Sequence, residues 1–164
     1  MKEGGIGGGN TITGLNFEKK TDILSLLRSK KGYKVVKNII YYKGKEVAKS
    51  FKKNGLYKFL ETKGVDYTKI LSKKLLPDEA IYVIVNNTLF IIEVKFQKVA
   101  GSVDEKFPFM IENIQTRYPC PAMVVYGGGG AKPGAVKYLK SQVGGNLVAV
   151  FSHEEFLAWV IRNL

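Results

Sequence analysis

The chain has 164 residues, 45% of them hydrophobic, which is enough for one core of ordinary size and leaves no composition break to mark a second domain over 1–164. Lysine and arginine number 26 against 14 acidic residues, a formal charge of +12, so polyanions such as nucleic acid are the favoured partners. A single cysteine (Cys120) and a single histidine (His153) exclude an intrachain disulfide, a structural zinc site and a histidine-based nuclease centre.

No apolar run approaches the roughly 20 residues of a membrane-spanning helix, and the opening residues lack the apolar core of a signal peptide. An intracellular protein with no membrane partner is the expectation.

Residues 1–13 form a glycine-rich arm, with GGIGGG at 4–9. Asn10 stands where a dinucleotide fingerprint would need its third glycine, and no strand precedes the arm. It either lies along DNA or has no regular structure. Thr13 is a candidate N-cap for a helix over 14–29, with Leu15, Ile23, Leu26 and Leu27 as its buried stripe. Glu18 lies about one-sixth of a turn from Leu15, at the stripe's edge, where it reaches an interior site or stays exposed.

Gly32 ends this helix, and 33–42 (YKVVKNIIYY) reads as one strand closed by a turn at Lys43-Gly44-Lys45. The segment 46–76 is a lysine-rich insertion expected to hold one or two short helices. Its Lys52, Lys53, Lys73 and Lys74 are candidate phosphate contacts, set against a merely solvated helical face.

The most informative stretch is 76–97, LPDEAIYVIVNNTLFIIEVKFQ. Residues 80–85 and 88–95 are rich in β-branched and aromatic residues, and the Asn86-Asn87 pair between them predicts a two-residue hairpin turn. That register sets Ala80 opposite Glu93 and Asp78 opposite Lys95. It places Asp78, Glu93 and Lys95 on one face, with Tyr82, Ile84, Leu89 and Ile91. Ile81, Val83, Val85, Phe90, Ile92 and Val94 occupy the other face.

Two carboxylates and an ammonium at the end of an apolar surface are costly unless compensated. A hard divalent cation held by Asp78 and Glu93 would do so, with the Val94 carbonyl completing its oxygen shell and Lys95 orienting an attacking water. The bland alternative is a surface ion pair beside a third charge.

Pro77-Asp78, followed after 14 residues by Glu93-Val94-Lys95, resembles the signature of the PD-(D/E)xK, or restriction-endonuclease-like, nuclease superfamily. Two other E-x-K triplets, at 18–20 and 61–63, lack the strand and the opposing aspartate. The resemblance implies an α/β fold with an αβββαβ core, in which a mixed central sheet is flanked by helices. It implies Mg²⁺ as cofactor, with Mn²⁺ as a substitute, and hydrolysis of DNA phosphodiesters. Asp78, Glu93 and Lys95 would be its catalytic residues, Glu18 would be the first-helix glutamate that reaches the metal, and Gln97 would orient the phosphate or a water. A restriction-type endonuclease of prokaryotic or viral origin, acting as a homodimer in the prokaryotic cytoplasm or an infected cell, is the leading expectation. A Holliday-junction resolvase is the rival within the superfamily, since residues 14–35 also resemble the opening of the archaeal type. A DNA-binding protein without catalysis is the rival outside it.

Beyond the hairpin, Lys98, a candidate DNA contact, and the segment GSVDEK lead into a helix over 104–115, for which Ser102 and Glu105 have capping-box spacing; Lys106 serves either that helix or DNA. Residues 122–126 form a strand that passes through Gly127–Gly130 and Lys132 into a helix over 134–141. Gly129, Gly130 and Lys132 are candidates for close approach to DNA, against a plain loop. A last strand over 147–151 precedes a helix with a second capping box, Ser152 and Glu155. Phe156, Leu157, Val160 and Ile161 are expected to face inward, and His153 to lie in the first turn, facing solvent. Arg28, Arg117 and Arg162 are the only arginines, so base reading is expected to rest on lysine, amide and backbone contacts.

Overall fold

The computed structural model describes residues 16–17, 19–65, 69–70, 73–74, 77–98 and 104–164. Helical residues at 16–17 and 19–21 lead to α1 (Ile23–Arg28), and a meander of three strands follows: β1 (Tyr33–Val36), β2 (Ile39–Tyr42) and β3 (Lys45–Phe51). Then come α2 (Asn54–Thr62), the small pair β4 (Lys69–Ile70) and β5 (Lys73–Lys74), and the hairpin β6 (Glu79–Val83) and β7 (Thr88–Phe96). A 3₁₀ turn (Asp104–Lys106) runs into α3 (Phe107–Thr116), and β8 (Ala122–Gly127), α4 (Pro133–Ser141), β9 (Leu147–Ser152) and α5 (His153–Asn163) complete the order.

Seven strands form one mixed sheet in the order β1-β2-β3-β6-β7-β8-β9. Pairing is antiparallel from β1 through β7 and parallel from β7 through β9. Parallel neighbours need crossovers, and α3 and α4 supply them. One face of the sheet packs Ala80, Ile91 and Val124 against Leu56, Leu60, Ile111 and Leu139 of α2, α3 and α4. The other packs Ile81, Ile92 and Val94 against Ile23, Leu27, Phe156 and Val160 of α1 and α5. The chain is therefore an α/β protein whose mixed central sheet is flanked by helices, as expected.

Four local expectations are corrected. The helix over 14–29 breaks at Asp22, whose carboxylate caps α1 by accepting from the Ser25 N–H (3.1 Å). The break is held from a distance: the Ile23 N–H points at the buried carboxyl of Glu79 (3.3 Å). The strand over 33–42 is two strands, because Lys37 (φ 54°) and Asn38 make a tight turn between Val36 and Ile39. Residues 46–51, expected among the helices of the insertion, belong to β3, with Ala48 and Ser50 buried against β6. In the last helix Phe156 and Val160 are buried, but Ile161 is exposed and Leu157 only half-buried.

The hairpin that carries Asp78, Glu93 and Lys95 also differs in register. Val83, not Val85, pairs with Thr88, so residues 84–87 form a four-residue loop, and Asn87 adopts φ 56°. Thr88 N–H donates to the Asn86 side chain and Tyr82 OH to that of Asn87, so the asparagines close the loop through their amides. A slip of two residues preserves strand alternation, so every side chain except those in the loop keeps its assigned face. Val85, now in the loop, is 84% exposed.

Candidate active site

Pro77 has no N–H to give to a ladder and Asp78 lies in a bend, so β6 starts only at Glu79. One step past the Glu79–Ile92 pair, the strands part and Asp78 stands level with Glu93. The Val94 N–H, which would otherwise lack a β6 partner, donates to the Asp78 carboxylate at 2.7 Å. A side chain thus replaces a ladder bond, and a notch opens between the two strands at the end of β7.

Three charged groups converge in that notch. Lys95 Nζ lies 2.8 Å from Glu93 Oε2 and 3.4 Å from Asp78 Oδ2, and the Tyr118 hydroxyl donates to the other oxygen of Glu93. Glu93 is 7% exposed, and its burial raises its carboxyl above the usual range, with Asp78 adding to the effect and Lys95 opposing it. For Lys95, burial disfavours the ammonium, but Glu93 and Asp78 outweigh it and hold the group above its ordinary value. Tyr118 is pushed upward, first by burial and then by the Glu93 charge, so it is a hydrogen-bond donor and not a phenolate.

Among the described residues no group of three or more histidine, cysteine, aspartate or glutamate side chains gathers to hold a metal ion. The donor set is leaner: two carboxylates whose oxygens already converge on one cation, the Lys95 ammonium. Two carboxylates and one lysine leave an uncompensated negative charge in a half-buried notch, and hard oxygen donors of that kind suit a divalent cation of the Mg²⁺ type. Asp78 and Glu93 have the donor chemistry for such an ion.

Glu18 lies outside the described residues. Gln97 follows β7 with its side chain buried; its N–H donates to Gly127 O (2.9 Å) and its carbonyl accepts from Gly130 N–H (2.7 Å), which ties β7 to the glycine loop. Lys52 pairs with Asp22 at 2.9 Å on the α1 side of the sheet. Lys53 (φ 45°), Lys106 and Lys132 are the N-cap residues of α2, α3 and α4. Lys73 and Lys74 lie on β5, and Ser102 of the first capping box lies outside the described residues. Lys98 lines a cavity together with Phe96 and Gly128, and Gly129 lines a larger one beside it. The Ser152–Glu155 capping box is formed, and His153 is half-buried in the first turn of α5, with Nε2 3.3 Å from the Lys20 carbonyl.

Two residues had no signal in the sequence. Tyr118 reaches Glu93 from the loop between α3 and β8, held there by its own N–H to Asn113 O (3.0 Å) and by Asn146 on its carbonyl (3.1 Å). Glu79, the neighbour of Asp78, turns to the opposite face and is 3% exposed. There it accepts from Ser50 Oγ at 2.7 Å, and burial pushes its carboxyl up to about 8. The adjacent acids of Pro77-Asp78-Glu79 therefore have different roles: one faces the notch and the other fastens α1 to the sheet.

No curated protein and no solved structure matches the chain. The family model for the PD-(D/E)XK nuclease superfamily domain matches residues 21–164, a span that includes the whole sheet and the Asp78, Glu93 and Lys95 notch. This chain belongs to the PD-(D/E)XK nuclease superfamily.

Proposed function

We propose that the chain is a Mg²⁺-dependent endonuclease that hydrolyses DNA phosphodiester bonds, with restriction-type cleavage of duplex DNA as its activity. The observation that carries this reading is the convergence of Asp78, Glu93 and Lys95, with Lys95 Nζ within 3.4 Å of both carboxylates. Asp78, Glu93 and the Val94 carbonyl would hold the cation. When bound, it supplies Lewis acidity toward the phosphate and neutralises the paired acids.

The chain's own groups divide the remaining work. Lys95, held as an ammonium, orients a water or a phosphate oxygen and meets developing negative charge at the scissile phosphate. Tyr118 holds one oxygen of Glu93, so the carboxylate's second oxygen stays turned toward Lys95. Gln97 shares the strand face of Lys95, and Glu18 is proposed as a further acid from the preceding helix. The net charge of +12 favours the polyanionic substrate. A homodimer would place two such notches on the two strands of one duplex.

The test is incubation with linear duplex, supercoiled plasmid and a four-way junction, in Mg²⁺ or chelator, beside Glu93→Gln and Lys95→Ala. Discrete fragments that need Mg²⁺ and fall by at least about 100-fold in both variants are expected. Cleavage of the junction alone would decide for a resolvase, and binding with no cleavage for a non-catalytic protein. In parallel, Mg²⁺ should raise the melting temperature of the wild type but not of Glu93→Gln, since only a ligand that binds the folded state stabilises it.

A further inference from the structure

At the carboxyl ends of β7, β8 and β9 lies a cavity of about 500 Å³ that the catalytic reading does not use. In open α/β sheets the crevice outside the carboxyl ends of parallel strands is where ligands bind, and this volume is within the roughly 300–1,000 Å³ of small-ligand sites. Phe17, Phe96, Tyr126 and His153 contribute aromatic rings to its wall, with Lys20 and Glu154 as its charged residues.

Its shape depends on missing side chains. A Cβ on Gly127 would come within 2.3 Å of the Phe17 ring, and one on Gly128 within 2.4 Å of the Gln97 carbonyl, so neither position tolerates a side chain as the loop stands. Gly128 and Gly129 also adopt φ 97° and 75°, which L side chains rarely adopt. Phe17 and Phe96 pack against each other with ring centroids 5.0 Å apart, which gives an aromatic wall. A second cavity of about 340 Å³ shares Phe17, Lys20, Phe96 and Gly128 and adds Lys98. Lys20 and Lys98 therefore bring positive charge to the Phe17–Phe96 wall, and Glu154 is the acid of the larger cavity.

The cavity reaches round the end of the sheet. Tyr126, the β8 partner of Lys95, lines it from the notch face, whereas Phe96, which follows Lys95, turns to the face of α1 and α5. We propose that this cavity takes one unstacked nucleotide of the nucleic-acid strand that passes over the ends of β7 and β8 to Asp78, Glu93 and Lys95. The base stacks on the aromatic wall in the larger chamber, and the sugar-phosphate leaves past Lys20 and Lys98. The assignment rests on the nuclease reading above. It adds to that reading a substrate feature, a base withdrawn from its stack.

The test uses cleavage-deficient Glu93→Gln protein labelled with ¹⁵N, titrated with deoxyadenosine monophosphate, a short single-stranded oligodeoxynucleotide and inorganic phosphate, with the amides of Gly127, Gly128 and Gly129 followed by NMR. Saturable shifts at these glycines with the oligonucleotide, and weaker ones with the mononucleotide, are expected. Ala131→Trp, which fills the cavity, should abolish them, and Lys20→Glu, at an exposed side chain, should weaken binding about tenfold. Unmoved glycines in the presence of an oligonucleotide that the wild type cleaves would overturn the proposal and leave the nuclease reading standing. Mononucleotide binding as tight as that of the oligonucleotide would mark a free-nucleotide site and overturn the assignment to a substrate strand. Nucleotide binding by a wild type that cleaves no nucleic acid would instead overturn the nuclease reading, and this assignment with it.

Discussion

Tyr118 gives Glu93 a hydrogen bond that favours the charged carboxylate. Replacing it by phenylalanine keeps the ring and removes the donor, so the carboxyl of Glu93, already raised by burial, rises further. The acidic limb of the pH–rate profile of Tyr118→Phe should therefore move to higher pH, with activity recovering as the solution is made more alkaline. An unshifted limb would mean that Glu93 does not govern the rate. Glu79 makes a prediction of the opposite kind. Its carboxyl titrates at about 8 in the fold against an ordinary value of 4.5, so between these values the folded state holds a proton that the unfolded chain has lost. Its contribution to stability is complete below 4.5, declines as pH rises and is lost once pH passes about 8. Glu79→Gln should flatten this dependence: relative to wild type it gains stability from pH 5 to pH 9, on the order of a few kcal/mol, as read by denaturant midpoints. Equal slopes in the two proteins would show that Glu79 is ionised in the fold.

At the scale of elements, Gly127 is where β8 meets the segment before α1. The Phe17 ring occupies the space a Cβ would need, 2.3 Å away, so Gly127→Ala must displace the ring or the strand and should cost about 1–3 kcal/mol. Phe17→Leu gives up part of the packing on Phe96 but makes room, so the double variant should be more stable than the sum of the two losses predicts, with a coupling of at least about 0.5 kcal/mol in thermal unfolding. Additive losses would mean that Phe17 does not pack on Gly127. The sequence made the strand-glycine-helix order visible but not what the glycines approach, because Phe17 and Gly127 stand 110 residues apart in the chain. The same limit explains the broken helix at Asp22, where Glu79 takes the Ile23 N–H from 56 residues away. Turns with weak local signals failed differently: Lys37-Asn38 lacks glycine, and the Asn86-Asn87 pair fits a four-residue loop as well as a two-residue one. The notch nevertheless remained legible, because an error of two residues in register leaves Asp78, Glu93 and Lys95 on one face. Tyr118 was not legible, since nothing in the segment around it has a period that relates it to β7.

For the whole molecule, the alternation of strand and helix after β7 was enough to anticipate a mixed sheet covered on both faces, because parallel neighbours require crossovers of helical length. The lysine-dense stretch misled where charge hid strands: β3 carries Lys45, Glu46 and Lys49 yet buries Ala48 and Ser50, and the short pair β4 and β5 lies in the same segment. Its lysines illustrate a wider point about the charge of +12. Several basic groups are already engaged within the fold, Lys52 with Asp22, Lys49 with Glu46, Lys140 with Glu155 and Lys95 with its two acids, so formal charge overstates the number free to meet phosphates. Counterion release converts that number into a measurable slope. If about six phosphates are bound, the logarithm of the affinity of Glu93→Gln for duplex DNA should fall against the logarithm of salt with a slope near −5, about a thousandfold between 50 and 200 mM. Reversing Lys98 or Lys132 to glutamate should reduce the slope by about one for each phosphate that the variant no longer neutralises, whereas Lys52→Glu, whose cation belongs to Asp22, should leave it unchanged and instead lower the melting temperature. A salt-independent affinity would place binding on groups other than phosphate and remove the polyanion argument from the reading of this chain.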